Sequence, residues 1–199
     1  MVTSQEAEER WKGTLGDEYT KRNAKQWAKE AELRKKFWDS IIDKYELWKG
    51  ILECGCGDGK NLINIPWGYG IDVNFDALWE LKEGCPAADA ITGSILDIPF
   101  KDNFFDLVFT CGVRIHIPDD GLKKALSEIY RVSNKYILIM EYYAEETRER
   151  PFLGEMGITW ERPYDKIIMS WCPRLKPIEK GFLTKKEGFN NIHYWMFKK

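Results

Sequence analysis

The amino-acid sequence predicts a doubly wound α/β fold built as one domain, and three observations carry that expectation. Short apolar runs alternate with stretches of helical periodicity along most of the chain, the pattern of strands joined by crossover helices. The run Tyr136-Ile-Leu-Ile-Met140 is continuously apolar and rich in β-formers, as a central strand covered on both faces must be. The run Ile51-Leu-Glu-Cys-Gly-Cys-Gly-Asp-Gly59 sets three glycines at alternate positions directly behind a short apolar strand. At 199 residues the chain has room for one substantial core, and two would be crowded.

From Ala24 to about Trp48 the positions Trp27, Ala31, Phe37, Trp38, Ile41, Ile42 and Tyr45 recur at roughly helical spacing, which predicts a long amphipathic helix. Gly50 breaks it, and Ile51-Leu52 enter the first strand. After Gly59 a short helix is expected to run to Ile65, before Pro66. The second strand is expected over Gly68 to Asp72, with a helix from Asp76 to Leu81. Phe105 to Thr110 reads as a short apolar strand, and Pro118-Asp119-Asp120 as a helix start. Behind that start Leu122, Ala125, Leu126, Ile129 and Tyr130 fall on one helical face. Glu145 to Pro177, with its charge run and four prolines, is expected to be an irregular insertion over the site. Two last strands are expected near Ile178 to Leu183 and Ile192 to Lys198.

Thirty basic against thirty-two acidic residues give a net charge of −2, which supplies no global field for a nucleic-acid backbone. No stretch approaches the ~18 apolar residues that span a membrane, and the N-terminus lacks the basic and apolar regions of a signal peptide. A soluble, cytoplasmic protein is expected, bound to neither DNA nor membrane. The five cysteines are odd in number and scattered, against a disulfide framework. Cys54 and Cys56 flank Gly55 without a second ligand pair, and two histidines are too few for a histidine metal centre, so no metal is expected.

The glycine loop carries the chemistry. Without side chains at Gly55, Gly57 and Gly59 the backbone can turn sharply and approach a ligand closely. A dinucleotide site wants G-x-G-x-x-G with a pyrophosphate on the helix N-terminus. Here the pattern is acid-x-G-x-G-x-G, and Glu53 would repel a pyrophosphate. It suits a cationic or amine-bearing ligand such as the methionine end of S-adenosylmethionine. The loop thereby resembles the first motif of the class I S-adenosylmethionine-dependent methyltransferases. Three further runs resemble their landmarks in order: Tyr69-Gly-Ile-Asp-Val-Asn74, Gly93-Ser-Ile-Leu-Asp-Ile-Pro-Phe100 and Asn103-Phe-Phe-Asp-Leu-Val-Phe-Thr110. The resemblance implies a Rossmann-like sheet of seven strands with a C-terminal antiparallel hairpin, and S-adenosylmethionine as cofactor. It also implies that Glu53, Gly55 and Gly57 meet the amino-acid end of the cofactor, Asp72 its ribose hydroxyls, and Val73 its adenine face. The family's adenine-reading acid falls at Ser94, so either Ser94 with the Ile95 amide, or Asp97 in a shifted register, takes that role.

After the fourth landmark comes Thr110-Cys-Gly-Val-Arg-Ile-His-Ile-Pro118, where the fold places residues facing the ligands, Thr110 among those expected at the cofactor. The loop lacks the Asn/Asp-Pro-Pro-aromatic run of base amino-methyltransferases, and Cys111 lacks the proline of a cytosine nucleophile. His116 is the natural general base, with an unperturbed pKa of about 6.5, and its alternative is a loop histidine bonded to a carbonyl. Tyr142, at the carboxyl edge after the fifth strand, is the second candidate for the acceptor side.

Trp11-Lys-Gly-Thr-Leu-Gly-Asp-Glu-Tyr-Thr-Lys-Arg-Asn23, with Phe109-Thr-Cys-Gly-Val-Arg-Ile-His-Ile117 and Glu141-Tyr-Tyr143, is similar to a narrower group associated with pseudaminic acid biosynthesis. That likeness implies a helical lid in the leader, and the chain departs from the group's pattern between Pro151 and Ser170, the expected substrate cover. The domain is thus expected to divide into a lid over 1–48, a core over 49–143, a substrate cover over 144–177 and a closing hairpin over 178–199. In the lid Tyr19, Arg22 and Asn23 would touch the cofactor, Arg22 through the cofactor carboxylate. The first expectation is N- or O-methylation of a small molecule, a sugar or sugar-nucleotide of cell-surface glycan biosynthesis. The alternatives are a protein or RNA methyltransferase and a cofactor-binding protein without transfer. An NAD-dependent oxidoreductase is opposed by the glycine spacing. Oligomeric state has no signature in the sequence.

Overall fold

The computed structural model describes residues 2–23, 27–48 and 50–199. Two short helices, α1 (Ser4–Lys12) and α2 (Thr14–Asn23), precede the long α3 (Trp27–Tyr45). The expected start of α3 at Ala24 lies outside the described residues. Its end is set by Glu46, which takes a positive φ of 54° and leaves Leu47 bonded back to Ile42. Strands β1 (Ile51–Cys54), β2 (Tyr69–Asp72), β3 (Asp89–Thr92), β4 (Phe105–Cys111) and β5 (Ser133–Glu141) follow, with α4 (Phe75–Gly84) after β2 and α5 (Asp119–Val132) after β4. Next come β6 (Arg148–Phe152), β7 (Glu155–Glu161) and α6 (Tyr164–Trp171), then β8 (Lys176–Leu183) and β9 (Ile192–Lys198).

Seven strands form one sheet in the order β3-β2-β1-β4-β5-β9-β8. The first five are parallel, and β9 enters antiparallel between β5 and β8, so the expected doubly wound sheet and its closing hairpin are both present. The alternation along β5 divides the core. Ile137 and Ile139 face one layer with Leu126 and Ile129 of α5, while Leu138 and Met140 face the other with Trp38 and Ile42 of α3. This is the pleat period of two acting on a strand covered on both sides.

Three expectations change. The segment 145–177 is ordered as the β6–β7 hairpin and α6. Its two-residue turn, Leu153-Gly154, has φ of 54° and 85°, the backbone of a primed turn, and Glu161 pairs across the strands with Arg148 and Arg150. The charge run is one strand of that ladder. The segment after Gly59 is a turn with a single 3-10 turn, Leu62–Asn64. Strand β3 has no counterpart in the sequence reading, because it is the sheet edge and its mostly exposed residues show neither alternation nor an apolar run.

The N-terminal helices are anchored at their start. The Ser4 amide donates to both carboxylate oxygens of Asp120 at 3.1 Å, and Gly121 lets Ser4 approach so closely that a Cβ there would stand 2.6 Å from the Ser4 Cβ. Among the described residues no helix is long and apolar enough to cross a membrane.

Candidate functional site

The carboxyl ends of β1, β2, β4 and β5 open on a cleft of about 320 Å³, covered by α1, α2 and the β6–β7 hairpin. Its floor is the glycine loop. The amides of Gly55 and Cys56 both donate to the Ile71 carbonyl, at 2.8 and 3.0 Å, which folds the loop over the end of β2. Gly55 has φ of +75°, and a Cβ there would lie 2.3 Å from Val113. Gly57, at φ +50°, faces open space, so its missing side chain leaves room in the cleft.

The Gly57 amide donates to Asp72 Oδ2 and the Asn74 amide to Oδ1, both at 2.8 Å. Burial raises the Asp72 pKa, and the amides of Asn74, Gly57 and Val73 pull it back. The helix cap is a different residue, Asn74, whose side chain accepts from Ala77 at 2.7 Å. Asp72 therefore keeps its remaining acceptor capacity for a ligand, with Val73 beside it on the cleft wall.

At the opposite end Glu53 is 2 % exposed. Its Oε1 accepts from Asn61 Nδ2 at 2.6 Å, and its Oε2 has no partner. Asn61 Oδ1 accepts from Arg34 Nη1 at 2.9 Å and from Trp38 Nε1 at 3.2 Å. Arg34 also donates from Nε to the Gly188 carbonyl at 2.9 Å and lies 4.5 Å from the Phe189 ring centre. Burial pushes the Glu53 carboxyl up to about 8, against the pull of Asn61 and Arg34. Glu53 and Arg34 thus present a carboxyl group and a guanidinium to the cleft, one asparagine apart.

The third landmark is arranged differently from expectation. The Ser94 hydroxyl donates to the carboxylate of Glu8, on α1, and accepts from the Leu96 amide at 3.0 Å. Glu8, Ile95 and Leu96 line the cleft, whereas Ser94 stands behind them and Asp97 is exposed away from it. Thr110 is also off the cleft: it is fully buried, and its hydroxyl donates to Glu141 Oε1 at 3.0 Å, the oxygen that also accepts from Arg114. Thr110 ties β4 to β5.

The remaining wall is aromatic. His116 sits 4.5 Å from Trp11 and 5.1 Å from Phe152, ring centre to ring centre, and Trp11 lies edge-on to Tyr19 at 5.5 Å. His116 Nδ1 is 2.9 Å from the Ile158 carbonyl, which can only accept, so Nδ1 carries the proton and Nε2 is the free base. Burial lowers its pKa to about 4. Arg22 caps this wall, 5.5 Å from the Tyr19 ring centre and 5.7 Å from that of Phe152. Asn23 and Tyr142 line the same cleft.

Residues 51–135 match the model of a family described as "Methyltransferase domain". The match runs from β1 through α5 and likens that part of the chain to a methyltransferase domain. An uncharacterized protein of Methanocaldococcus jannaschii is 36% identical over 108 residues, 50% of this chain. The match covers 44% of that protein, less than half of the curated relative's length. Among solved structures, the 1,6-didemethyltoxoflavin-N1-methyltransferase of Burkholderia thailandensis, with 1,6-didemethyltoxoflavin and S-adenosylhomocysteine bound, is similar over all of this chain and 91% of its own. Its TM-score is 0.75 at 13% identity. The magnesium protoporphyrin IX methyltransferase of Synechocystis PCC 6803, with S-adenosylmethionine bound, aligns with TM-score 0.69 at 13% identity, over 98% of this chain and 96% of its own.

Several residues of the cleft were missed in the sequence. Arg34 left a signal: on α3 it occupies the buried stripe with Ala31, Trp38 and Ile41, and a cation on an apolar stripe needs a buried partner. Glu8, Trp11, Asn61 and Phe152 left none, since each meets the cleft through a contact distant in sequence. The Cys54 and Cys56 thiols are buried core groups whose pKa values burial raises. Among the described residues no group of three or more His, Cys, Asp or Glu could hold a metal ion.

Proposed function

We propose that this chain methylates a nitrogen or oxygen of a small molecule, a sugar or sugar-nucleotide intermediate of cell-surface glycan biosynthesis. The observation that carries the transfer reading is the cleft itself. Glu53 and Arg34, bridged by Asn61, suit the ammonium and carboxylate of a methionine end, Asp72 suits a ribose, and a neutral His116 stands beside them. Bound there, S-adenosylmethionine supplies a methyl carbon made electrophilic by its sulfonium. His116 Nε2 accepts the proton that the acceptor nitrogen or oxygen loses, and Tyr142 borders the acceptor. The aromatic roof of Trp11, Tyr19 and Phe152 suits a compact acceptor and can lie against the C–H face of a sugar ring. The similarity of the 11–23 segment to the pseudaminic acid group is the support for the sugar. Both solved relatives are, by name, enzymes of small molecules. Calorimetry with S-adenosylmethionine and NAD, then transfer of labelled methyl to a panel of activated sugars, tests the reading. Saturable binding of NAD alone would end it, and an unlabelled panel would remove the sugar.

Glu53 gives the cofactor site a pH dependence. Its pKa of about 8 lies above the ordinary 4.5, so in the ligand-free protein its stabilising contribution is full below about 4.5 and is lost as pH rises through about 8. A bound cation takes the carboxylate form, so cofactor affinity is expected to rise from about pH 6 to about pH 8, by up to tenfold per unit. In Glu53→Gln this dependence should flatten and affinity fall. Calorimetric titrations across that range check it, and an unchanged slope in the variant removes Glu53 from the cofactor.

Glu8, with Oε2 accepting from Ser94 and Oε1 paired with Lys12 at 3.0 Å, is carried to the third landmark by α1, and its remaining acceptor capacity suits an adenine amino group where Ser94 has no charge of its own. The expected result is that S-adenosylhomocysteine binds at least about tenfold tighter than S-inosylhomocysteine, whose oxygen faces the carboxylate. Glu8→Gln should lose most of that discrimination. If the variant discriminates as the wild type does, the adenine is read elsewhere.

A further inference from the structure

We propose that the methyl acceptor itself carries a carboxylate or phosphate group, held at the roof of the cleft by Arg22 with Asn23. The inference rests on the methyltransferase reading above and gives its acceptor a charge.

Two arginines line the cleft, and the geometry separates their tasks. Arg34 is fixed from both sides, by Asn61 and by the Gly188 carbonyl at 2.9 Å each, and shares Asn61 with Glu53. A guanidinium and a carboxyl group held one asparagine apart match an amino-acid group, whose ammonium and carboxylate sit on one carbon. That accounts for the cofactor carboxylate without Arg22. Arg22 is held differently, with its guanidinium against the faces of Tyr19 and Phe152 and no carboxylate within 4.0 Å among the described residues. Lys60, by contrast, is paired with Glu30 at 2.9 Å.

The surroundings of Arg22 point the same way. Its neighbour Asn23 lines the cleft, with Nδ2 buried and without a partner, so a second donor awaits an acceptor. Phe152 joins Arg22 to the base, since its ring also contacts His116 at 5.1 Å. His116 is neutral, and Trp11, Tyr19 and Phe152 bring no charge. Arg22 is exposed at the cleft mouth, where a guanidinium stacked on two rings and lacking a carboxylate partner among the described residues is free to make bidentate hydrogen bonds to an anion. An acidic acceptor pairs with it while its apolar body rests on the rings and its reacting N–H or O–H lies toward His116.

The test uses the full chain saturated with S-adenosylhomocysteine and three p-nitrophenyl probes: the glucuronide and the glucoside, matched in shape, and the phosphate, which carries the anion without the sugar ring. The glucuronide or the phosphate is expected to bind at least about tenfold tighter than the neutral glucoside, and which of them does so separates a carboxylate from a phosphate acceptor. Arg22→Gln should erase that preference, with Arg22→Lys keeping part of it, and neither should alter S-adenosylhomocysteine affinity. In parallel, decarboxylated S-adenosylhomocysteine should bind more weakly than the intact compound to wild type and Arg22→Gln, but equally to Arg34→Gln. Equal binding of acidic and neutral probes, or binding of none, overturns the proposal. So does a loss of carboxylate discrimination in Arg22→Gln, which would return Arg22 to the cofactor. Wild-type protein that binds no S-adenosylhomocysteine would instead sink the methyltransferase reading.

Discussion

His116→Ala is expected to lower kcat by about 10²- to 10⁴-fold, the span typical of a lost general base, with cofactor affinity nearly unchanged. The ring is neutral and oriented to accept a proton, though burial makes it a weaker base than a free imidazole. Its Nδ1–H is committed to the Ile158 carbonyl at 2.9 Å, leaving the Nε2 lone pair as the acceptor. With a pKa of about 4, the imidazole is neutral at every pH above about 5, so the rate profile should show no acid limb from this residue between about pH 5.5 and 8. The sign for stability follows from the same shift. The ordinary value is 6.5, so the contribution of His116 to folding is full above about 6.5 and is lost as pH falls through about 4. Single-turnover rates and S-adenosylhomocysteine titrations of the variant separate the roles. Full turnover with normal binding would mean that positioning alone suffices and that His116 is a packing residue tied to a carbonyl.

Trp38→Ala should destabilise the protein by about 3–5 kcal/mol, the cost of deleting a fully buried aromatic and leaving a cavity. Trp38 has no exposed surface, and its ring centre is 4.5 Å from that of Phe109 on β4 and 5.4 Å from that of Phe37. The same side chain reaches the site, because its indole N–H donates to Asn61 at 3.2 Å, and Asn61 orients Glu53 and Arg34. Cofactor affinity should therefore fall along with stability. Trp38→Phe separates the effects: it keeps most of the packing and removes the donor, so its affinity loss should be large relative to its change in denaturation midpoint. If Trp38→Phe binds cofactor as the wild type does, the indole hydrogen bond does not position the site.

The fold was legible wherever a local rule decides the structure. The strand Tyr136–Met140 was readable because burial on both faces demands an unbroken apolar run, and α5 because one apolar stripe recurs at helical spacing. The glycine loop was readable because a positive φ at Gly55, Gly57 and Gly59 favours residues without a Cβ. The edge strand β3 escaped, since a strand paired on one side and solvated along most of its length carries no burial pattern. The β6–β7 hairpin escaped because its charge run and prolines suggested an irregular segment, whereas Arg148 and Arg150, though exposed, pair with Glu161 across the ladder.

The residues of the cleft divide in the same way. Glu53, Asp72 and the loop to His116 follow directly from strand ends, so their sequence neighbours reveal them. Glu8 beside Ser94, Arg34 between Asn61 and Gly188, and Trp11 and Phe152 against His116 join residues that are far apart along the chain. By itself the sequence determined the central strands, the glycine loop and the strand ends that open on the cleft, because these depend on backbone conformation and short-range periodicity. Only the tertiary structure decided which side chains close the cleft and with what charge, because that depends on where packing brings the N-terminal helices and the hairpin over the sheet.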